Sequence, residues 1–168
     1  MQAFALGSQR GITMSEELNR YITFSMGGEL FALPLLSVKE VIAYAEVTPI
    51  PGAPHYFKGI MDLRGEIVSV MDLAEKLTLP AAQAGAETSI IILDLGEVHA
   101  GVIVDNVDSV ITLRKGDLSA PPDMKLNIKN YLGGVTKKDN RLVLLLDVGS
   151  ALTEEDFHTL KTNSRRAA

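Results

Sequence analysis

The sequence predicts an all-β chain folded as two small barrels of about five strands each, joined by a hydrophobic seam. Three observations lead there. The chain repeats itself: residues 56–77 lie over 131–152 without a gap, setting Tyr56 on Tyr131, Gly59 on Gly134, Val68 on Val143, Asp72 on Asp147 and Leu77 on Leu152. A fainter echo precedes each copy. Residues 22–42 lie over 91–111, with Gly27 on Gly96, Val38 on Val107 and Val41 on Val110. Each half therefore runs hairpin, linking strand, irregular stretch, hairpin, short helix. Finally, the 168 residues are 46% hydrophobic but only 5% aromatic, with no Trp. The core must be built from Val, Ile and Leu, and β-branched side chains suit pleated sheets.

Taken in order, residues 1–19 lack apolar periodicity and read as a tail. Ile22, Phe24 and Met26 alternate with Thr23 and Ser25, the period of a half-buried strand. Gly27-Gly28 supplies a tight turn, and residues 29–34 return as its partner, stopped by Pro34. Residues 36–38 read as a short turn with Ser37 as its cap, before a strand over 40–44. Three prolines between Val47 and His55 stiffen a crossing segment, followed by a helical turn over 55–58. Residues 60–63 and 67–72 form a hairpin about Arg64-Gly65, and 73–77 a short helix. The small, polar stretch 80–88 reads as the boundary between halves.

The second half repeats this order. Residues 89–95 and 98–104 pair about Gly96-Glu97. The unbroken run Ile90-Ile91-Ile92-Leu93 marks a strand covered on both faces. Residues 107–113 continue as strand, 114–129 wander, and 132–136 with 142–147 close the last hairpin. Thr153 before three carboxylates starts a helix over 153–162, leaving 163–168 as a tail. Barrels at about 35–85 and 89–150, with room for exchanged terminal strands, are each marginal at this size and need the seam.

The composition excludes several classes of function. Sixteen Lys and Arg against 21 Asp and Glu give a net charge of −5, which argues against a general nucleic-acid binder. The one basic cluster, Lys137-Lys138 with Arg141, reads as a solvated hairpin tip. Without Cys there is no disulfide or thiol chemistry, and a cytoplasmic setting fits. No apolar run reaches the roughly 18 residues of a membrane helix, so no direct insertion is expected. His55, His99 and His158 lack metal-ligand spacing. No nucleophile elbow, phosphate loop or calcium loop is present, and neither a cofactor nor a metal is expected. Asp72 and Asp147, equivalent in the repeat, read as caps of the short helices, and Gly59, Gly65 and Gly134 as turn glycines. That leaves Glu40, a carboxylate among Val38, Val41 and Ile42, and Arg64, at the turn that the second copy writes differently. A surface ion pair is one reading; a charged rim beside an apolar surface, registering a protein partner, is the other.

The stretch 38–77 supports the second reading. Val38-x-Glu40-Val41, Pro49 with Pro51, Phe57-Lys58-Gly59, Asp62-Leu63-Arg64-Gly65 and Val70-x-Asp72-Leu73 resemble the CheW family of chemotaxis coupling proteins. Residues 91–105, then Val107, Val110 and Tyr131-Leu132-x-Gly134, extend the likeness over about 20–160. The resemblance implies two SH3-like five-stranded barrels and no enzyme activity. It implies an adaptor coupling methyl-accepting chemoreceptors to the histidine kinase CheA. The receptor's cytoplasmic helical tip would lie in an apolar groove between the barrels, and the kinase's regulatory domain would pack end to end with a barrel. Carried over by position, the groove and its rim comprise Val38, Glu40, Arg64, Val104, Val107 and Val110; no kinase-contact residues are assigned. Ile42 departs from the family, standing where many relatives carry Arg or another polar residue. The rival class is a small barrel binding a ligand or oligonucleotide, which needs basic or aromatic residues on a sheet face, and this chain has few of either.

Overall fold

The computed structural model describes residues 18–80, 84–123 and 128–165. Of the expected N-terminal tail, 1–17 lie outside the described residues, and Leu18 and Asn19 are already strand. Ten strands follow: β1 (Leu18–Met26), β2 (Glu29–Pro34), β3 (Val38–Ala43), β4 (Phe57–Leu63), β5 (Glu66–Asp72), β6 (Ser89–Asp94), β7 (His99–Val104), β8 (Asn106–Arg114), β9 (Leu132–Lys138) and β10 (Arg141–Leu146). The helices are α1 (Leu73–Lys76), α2 (Val148–Ala151) and α3 (Glu154–Ser164). A 3-10 turn, Leu35–Ser37, precedes β3. Ser37 does not cap it: no side chain bonds its first amides, and the chain enters from Pro34 in an extended conformation. The helical turn expected over 55–58 gives way to β4 from Phe57 onward.

The strands form two five-stranded sheets. Sheet I runs β3-β6-β7-β5-β4 and sheet II runs β9-β10-β2-β1-β8. The division at about 35–85 and 89–150 left room for exchanged strands, and the sheets are built from such an exchange. The hairpin β6-β7 of the second half completes sheet I, where β7 lies parallel to β5. The hairpin β1-β2 of the first half completes sheet II, where β2 lies parallel to β10. The halves have traded hairpins, so neither sheet exists without both.

One device draws the edges of each sheet together. Beyond β3, Thr48 exchanges two backbone hydrogen bonds of 2.9 Å with Ile60 on β4, the opposite edge of sheet I. Beyond β8, Ser119 makes the same pair at 2.9 Å with Val135 on β9. The repeated glycine sits at this crossing. Gly59 and Gly134 have φ of +154° and +155°, at matching irregularities in strand register. A Cβ on Gly59 would lie 2.3 Å from the Thr48 carbonyl oxygen, and one on Gly134 3.3 Å from that of Ser119. Only glycine lets the crossing strand approach so closely.

Burial separates into three layers. Val68, Val70, Ile90 and Ile92 fill sheet I; Leu30, Ala32, Leu113, Val143 and Leu145 fill sheet II. The largest cluster is the shared seam, which takes Ile22, Phe24, Phe31 and Leu33 from sheet II and Ile91, Leu93, Ala100 and Val102 from sheet I. These are the residues that the fainter echo sets on one another, Ile22 on Ile91 and Phe24 on Leu93. The central β6 is covered on both faces: Ile90 and Ile92 point into sheet I while Ile91 and Leu93 point into the seam. The helix α3 runs beyond 162, and Asn163, within the expected tail, is buried and donates to Ser69 Oγ at 2.9 Å; residues 166–168 lie outside the described residues.

Candidate partner-binding groove

The linking strands β3 and β8 occupy equivalent edges of the two sheets. Antiparallel partners share a sheet face, so the pairing register says where their valines point. Val38 pairs with Leu93 and Val41 with Ile91; Val107 pairs with Phe24 and Val110 with Ile22. All four partners belong to the seam core. The duplicated Val-x-x-Val therefore faces the seam side from both edges. Val38 and Val107 pack against the core, whereas Val41 and Val110 remain 39% and 50% exposed. Val104, expected in the same groove, is 0% exposed. It lies on the inner β7, within the seam core, with no exposed surface.

Two further exposed apolar residues, absent from the sequence expectation, meet where β1 begins and β2 ends. Leu36, in the 3-10 turn leading into β3, is 98% exposed, and Leu18 at the start of β1 is 55% exposed. With Leu35, Tyr21, Pro34 and the polar Asn19 and Arg20 they line a cleft of about 320 Å³. Leu36 escaped the sequence reading because a three-residue turn carries no periodicity. Leu18 did so because it sits two steps beyond the alternation of Ile22, Phe24 and Met26, past the charged Arg20. Extending that alternation backwards would have placed it on the seam side.

Polar residues edge the mouth of sheet I. Arg64 donates to the Glu40 carboxylate, with side chains 68% and 24% exposed. Arg64 (φ 53°) and Gly65 (φ 89°) both sit in the left-handed region, and the Gly65 amide is held by Asp62 Oδ1 at 2.7 Å. In the second copy Asp139 and Asn140 take the same backbone shape, at φ 50° and 64°. The copies thus share the turn's backbone and differ in what it carries. Beside this pair, Glu66 accepts from Lys39 Nζ at 3.1 Å and meets His99 Nδ1 at 2.5 Å. Burial pushes the Glu66 carboxyl up, but bonds to Lys39 and His99 outweigh it and leave the group below its ordinary range. Sheet II carries a comparable clip with its polarity reversed. Asp108, which the echo sets on Lys39, accepts from Lys138 Nζ at 2.8 Å, and that ammonium holds its carboxyl below the usual range. One lysine of the basic hairpin tip is thereby paired within the fold.

The caps are local. Asp72 Oδ1 accepts from the Glu75 amide at 3.1 Å and Asp147 Oδ1 from the Ser150 amide at 3.3 Å, each starting a short helix. Among the described residues, no cluster of three His, Cys, Asp or Glu side chains could hold a metal ion. Nor is any helix among them long and apolar enough to cross a membrane. The arrangement has the parts for recognising a protein segment: an apolar strip facing the seam, and an ion pair on the opposite face of the same edge strand, where Glu40 pairs with Ile92.

Comparison with known proteins gives this surface a context. The profile of the CheW-like domain matches residues 20–156. The chain is 29% identical over 154 residues to chemotaxis protein CheW of Treponema pallidum, covering 89% of this chain and 91% of the relative. It is 31% identical over 137 residues to chemotaxis protein CheW of Bacillus subtilis, covering 81% and 88%. Among solved structures, the scaffolding protein TtCheW from Thermoanaerobacter tengcongensis superposes with a TM-score of 0.76 at 25% identity, covering 88% of this chain and 96% of that one.

Proposed function

The chain belongs to the CheW family, non-enzymatic scaffolds of chemotaxis signalling, and from that premise we propose that its seam-side groove seats the cytoplasmic helical tip of a chemoreceptor while the kinase CheA is held through its regulatory domain. In this reading Leu36, Leu18, Val41 and Val110 are the apolar contacts, Val38 and Val107 shape the floor, and Glu40 with Arg64 set the register at the rim. The observation that carries it is the exposure of apolar residues on the side of both sheets that faces the shared core, on an edge strand whose other face carries a fixed ion pair. Helix-in-groove recognition needs this combination, because apolar anchors supply affinity and flanking charges fix orientation. The kinase's regulatory domain would meet a barrel end, and the protein would work in the cytoplasm at receptor arrays.

The experiment is titration of a labelled receptor signalling-tip fragment, and separately of the kinase regulatory domain, into the full chain. Val110→Asp should weaken the receptor fragment at least tenfold and leave the kinase domain unaffected, with an unchanged melting temperature. Glu40→Lys should weaken the receptor fragment too. If neither partner binds at tens of micromolar, the proposal fails; if Val110→Asp leaves receptor binding intact, the groove is misplaced.

A further inference from the structure

We propose that helix α3 is a strap that locks the two sheets in one relative orientation, and that Asp156 is its latch. The chain reaching α3 comes from sheet II, through β10 and α2. Its side-chain partners Tyr56, Ser69, Lys76 and Glu97 all belong to sheet I or its connections. The Asp156 carboxylate is 0% exposed and takes hydrogen bonds from the Tyr56 hydroxyl at 2.5 Å, the Lys76 ammonium at 2.8 Å and the Thr153 amide at 2.9 Å. The Lys76 ammonium also stands 4.3 Å above the Tyr56 ring, so its charge is met from two sides. One turn further, Leu160 is buried in the seam core. At the far end Asn163 donates to Ser69 on β5, and Lys161 pairs with Glu97 in the β6-β7 turn at 2.7 Å.

The first half makes a smaller version of the same crossing. Leu79, leaving α1 of sheet I, packs on Gly27 in the β1-β2 turn of sheet II, so closely that a Cβ there would lie 2.8 Å from Leu79 Cβ. Each sheet is thus tied to the hairpin turn of the other, and among the described residues the second crossing adds the buried Asp156 carboxylate beside its exposed Lys161–Glu97 pair. Apolar seams tolerate sliding, because many registers bury similar area. A buried carboxylate tolerates none, since leaving it or Lys76 unpaired is costly. The latch therefore selects one orientation among those that the seam would accept. This inference stands apart from any partner assignment.

The chain lacks cysteine, so spin labels can be placed at Ala43→Cys on β3 and Thr112→Cys on β8, both exposed, and the distance between sheets measured in the full chain. The parent should give one narrow distribution. Asp156→Asn should widen it at least twofold and speed amide exchange in α3 at least tenfold. Val143→Ala, which hollows the interior of sheet II, is the control: it should lower the melting temperature without widening the distribution. Should Asp156→Asn not fold, Tyr56→Phe, which removes one donor, gives a smaller widening in the same sense. An unchanged width with α3 exchanging freely would mean that the seam alone fixes the orientation. Unchanged exchange in α3 would mean that Asp156 is no latch. Either result overturns the proposal.

Discussion

Single residues at equivalent places in the two halves carry unequal loads. Gly59 and Gly134 share a φ near +155°, but a Cβ at Gly59 would press on the Thr48 oxygen at 2.3 Å, against 3.3 Å for Gly134 and Ser119. Gly59→Ala should therefore cost roughly 1–3 kcal/mol or more, in the range of backbone held where only glycine is comfortable, and Gly134→Ala distinctly less. Chemical denaturation of both variants checks this; equal losses would mean that φ alone, and not the crossing strand, demands glycine. Arg64 is the opposite case. At φ 53° its backbone already bears the left-handed conformation, and its exposed ion pair contributes about 0–1 kcal/mol. Arg64→Ala should stay within ~0.5 kcal/mol of the parent and weaken the proposed receptor contact; a large fall in melting temperature would make Arg64 structural. Glu40 and Arg64 were legible as a pair because one stands out as a charge among valines and the other at the turn where the copies differ. Val104 entered the groove by position in the family alone, and position does not say whether a strand is an edge or a centre; Val104 lies on an inner strand and is buried. Asp156 was read only as the start of a helix: its burial depends on Tyr56 and Lys76, distant in sequence, and no local pattern announces that.

At the scale of elements, α3 gains its attachment from charge as well as from Phe157 and Leu160, and this gives it a pH signature. Burial pushes the Asp156 carboxyl up, but the Lys76 ammonium, the Thr153 amide and the Tyr56 hydroxyl more than offset it and bring the group below its ordinary value. Lys76 moves the other way: burial lowers it, and its bond to Asp156 raises it further, for a net rise. The Tyr56 hydroxyl is raised by burial and by the neighbouring carboxylate. A carboxyl whose folded pKa lies below its unfolded value of about 3.9 leaves the folded state with fewer protons. Its contribution is then complete above about pH 4 and disappears as pH falls through the folded pKa. Lys76, raised on folding, contributes fully below about pH 10.4 and loses its share as pH climbs through its folded value; Tyr56 follows the same direction from about pH 10. The melting-temperature gap between parent and Asp156→Asn should therefore be flat across neutral pH and shrink below about pH 4. A gap that persists unchanged to pH 2 would show that the carboxylate's charge adds nothing. The helix itself was readable from Thr153 and the acidic first turn, whose capping box the structure contains. Its last residues were lost to the expected tail because Asn163 looks like a helix stop until Ser69 is seen opposite it.

For the whole molecule, the exchange of hairpins decides how the halves depend on each other. The echoes disclosed two equivalent halves, and five strands per sheet followed from counting. Which hairpin closes which sheet could not be read. Ile22 and Ile91, or Phe24 and Leu93, are interchangeable as apolar strand residues, so a half closing on itself would satisfy the same pattern. The structure resolves the ambiguity through two parallel contacts, β5 with β7 and β10 with β2, each joining one half to the other. Cutting the chain should therefore not yield two domains. With a protease site introduced at 81–83, the cleaved protein should elute as one species in size exclusion at micromolar concentration and melt in a single transition. Separated in denaturant, each piece alone should lack cooperative unfolding: the first leaves β1-β2 without β8 and β10, and the second leaves β6-β7 without β3 and β5. Mixing the pieces on refolding should restore the intact melt and, if the groove is placed correctly, the receptor-tip binding, since Val38 and Val41 come from one piece and Val107 and Val110 from the other. Two pieces that fold and melt separately would mean that each half can close on itself, and the seam would then be an ordinary interface between domains.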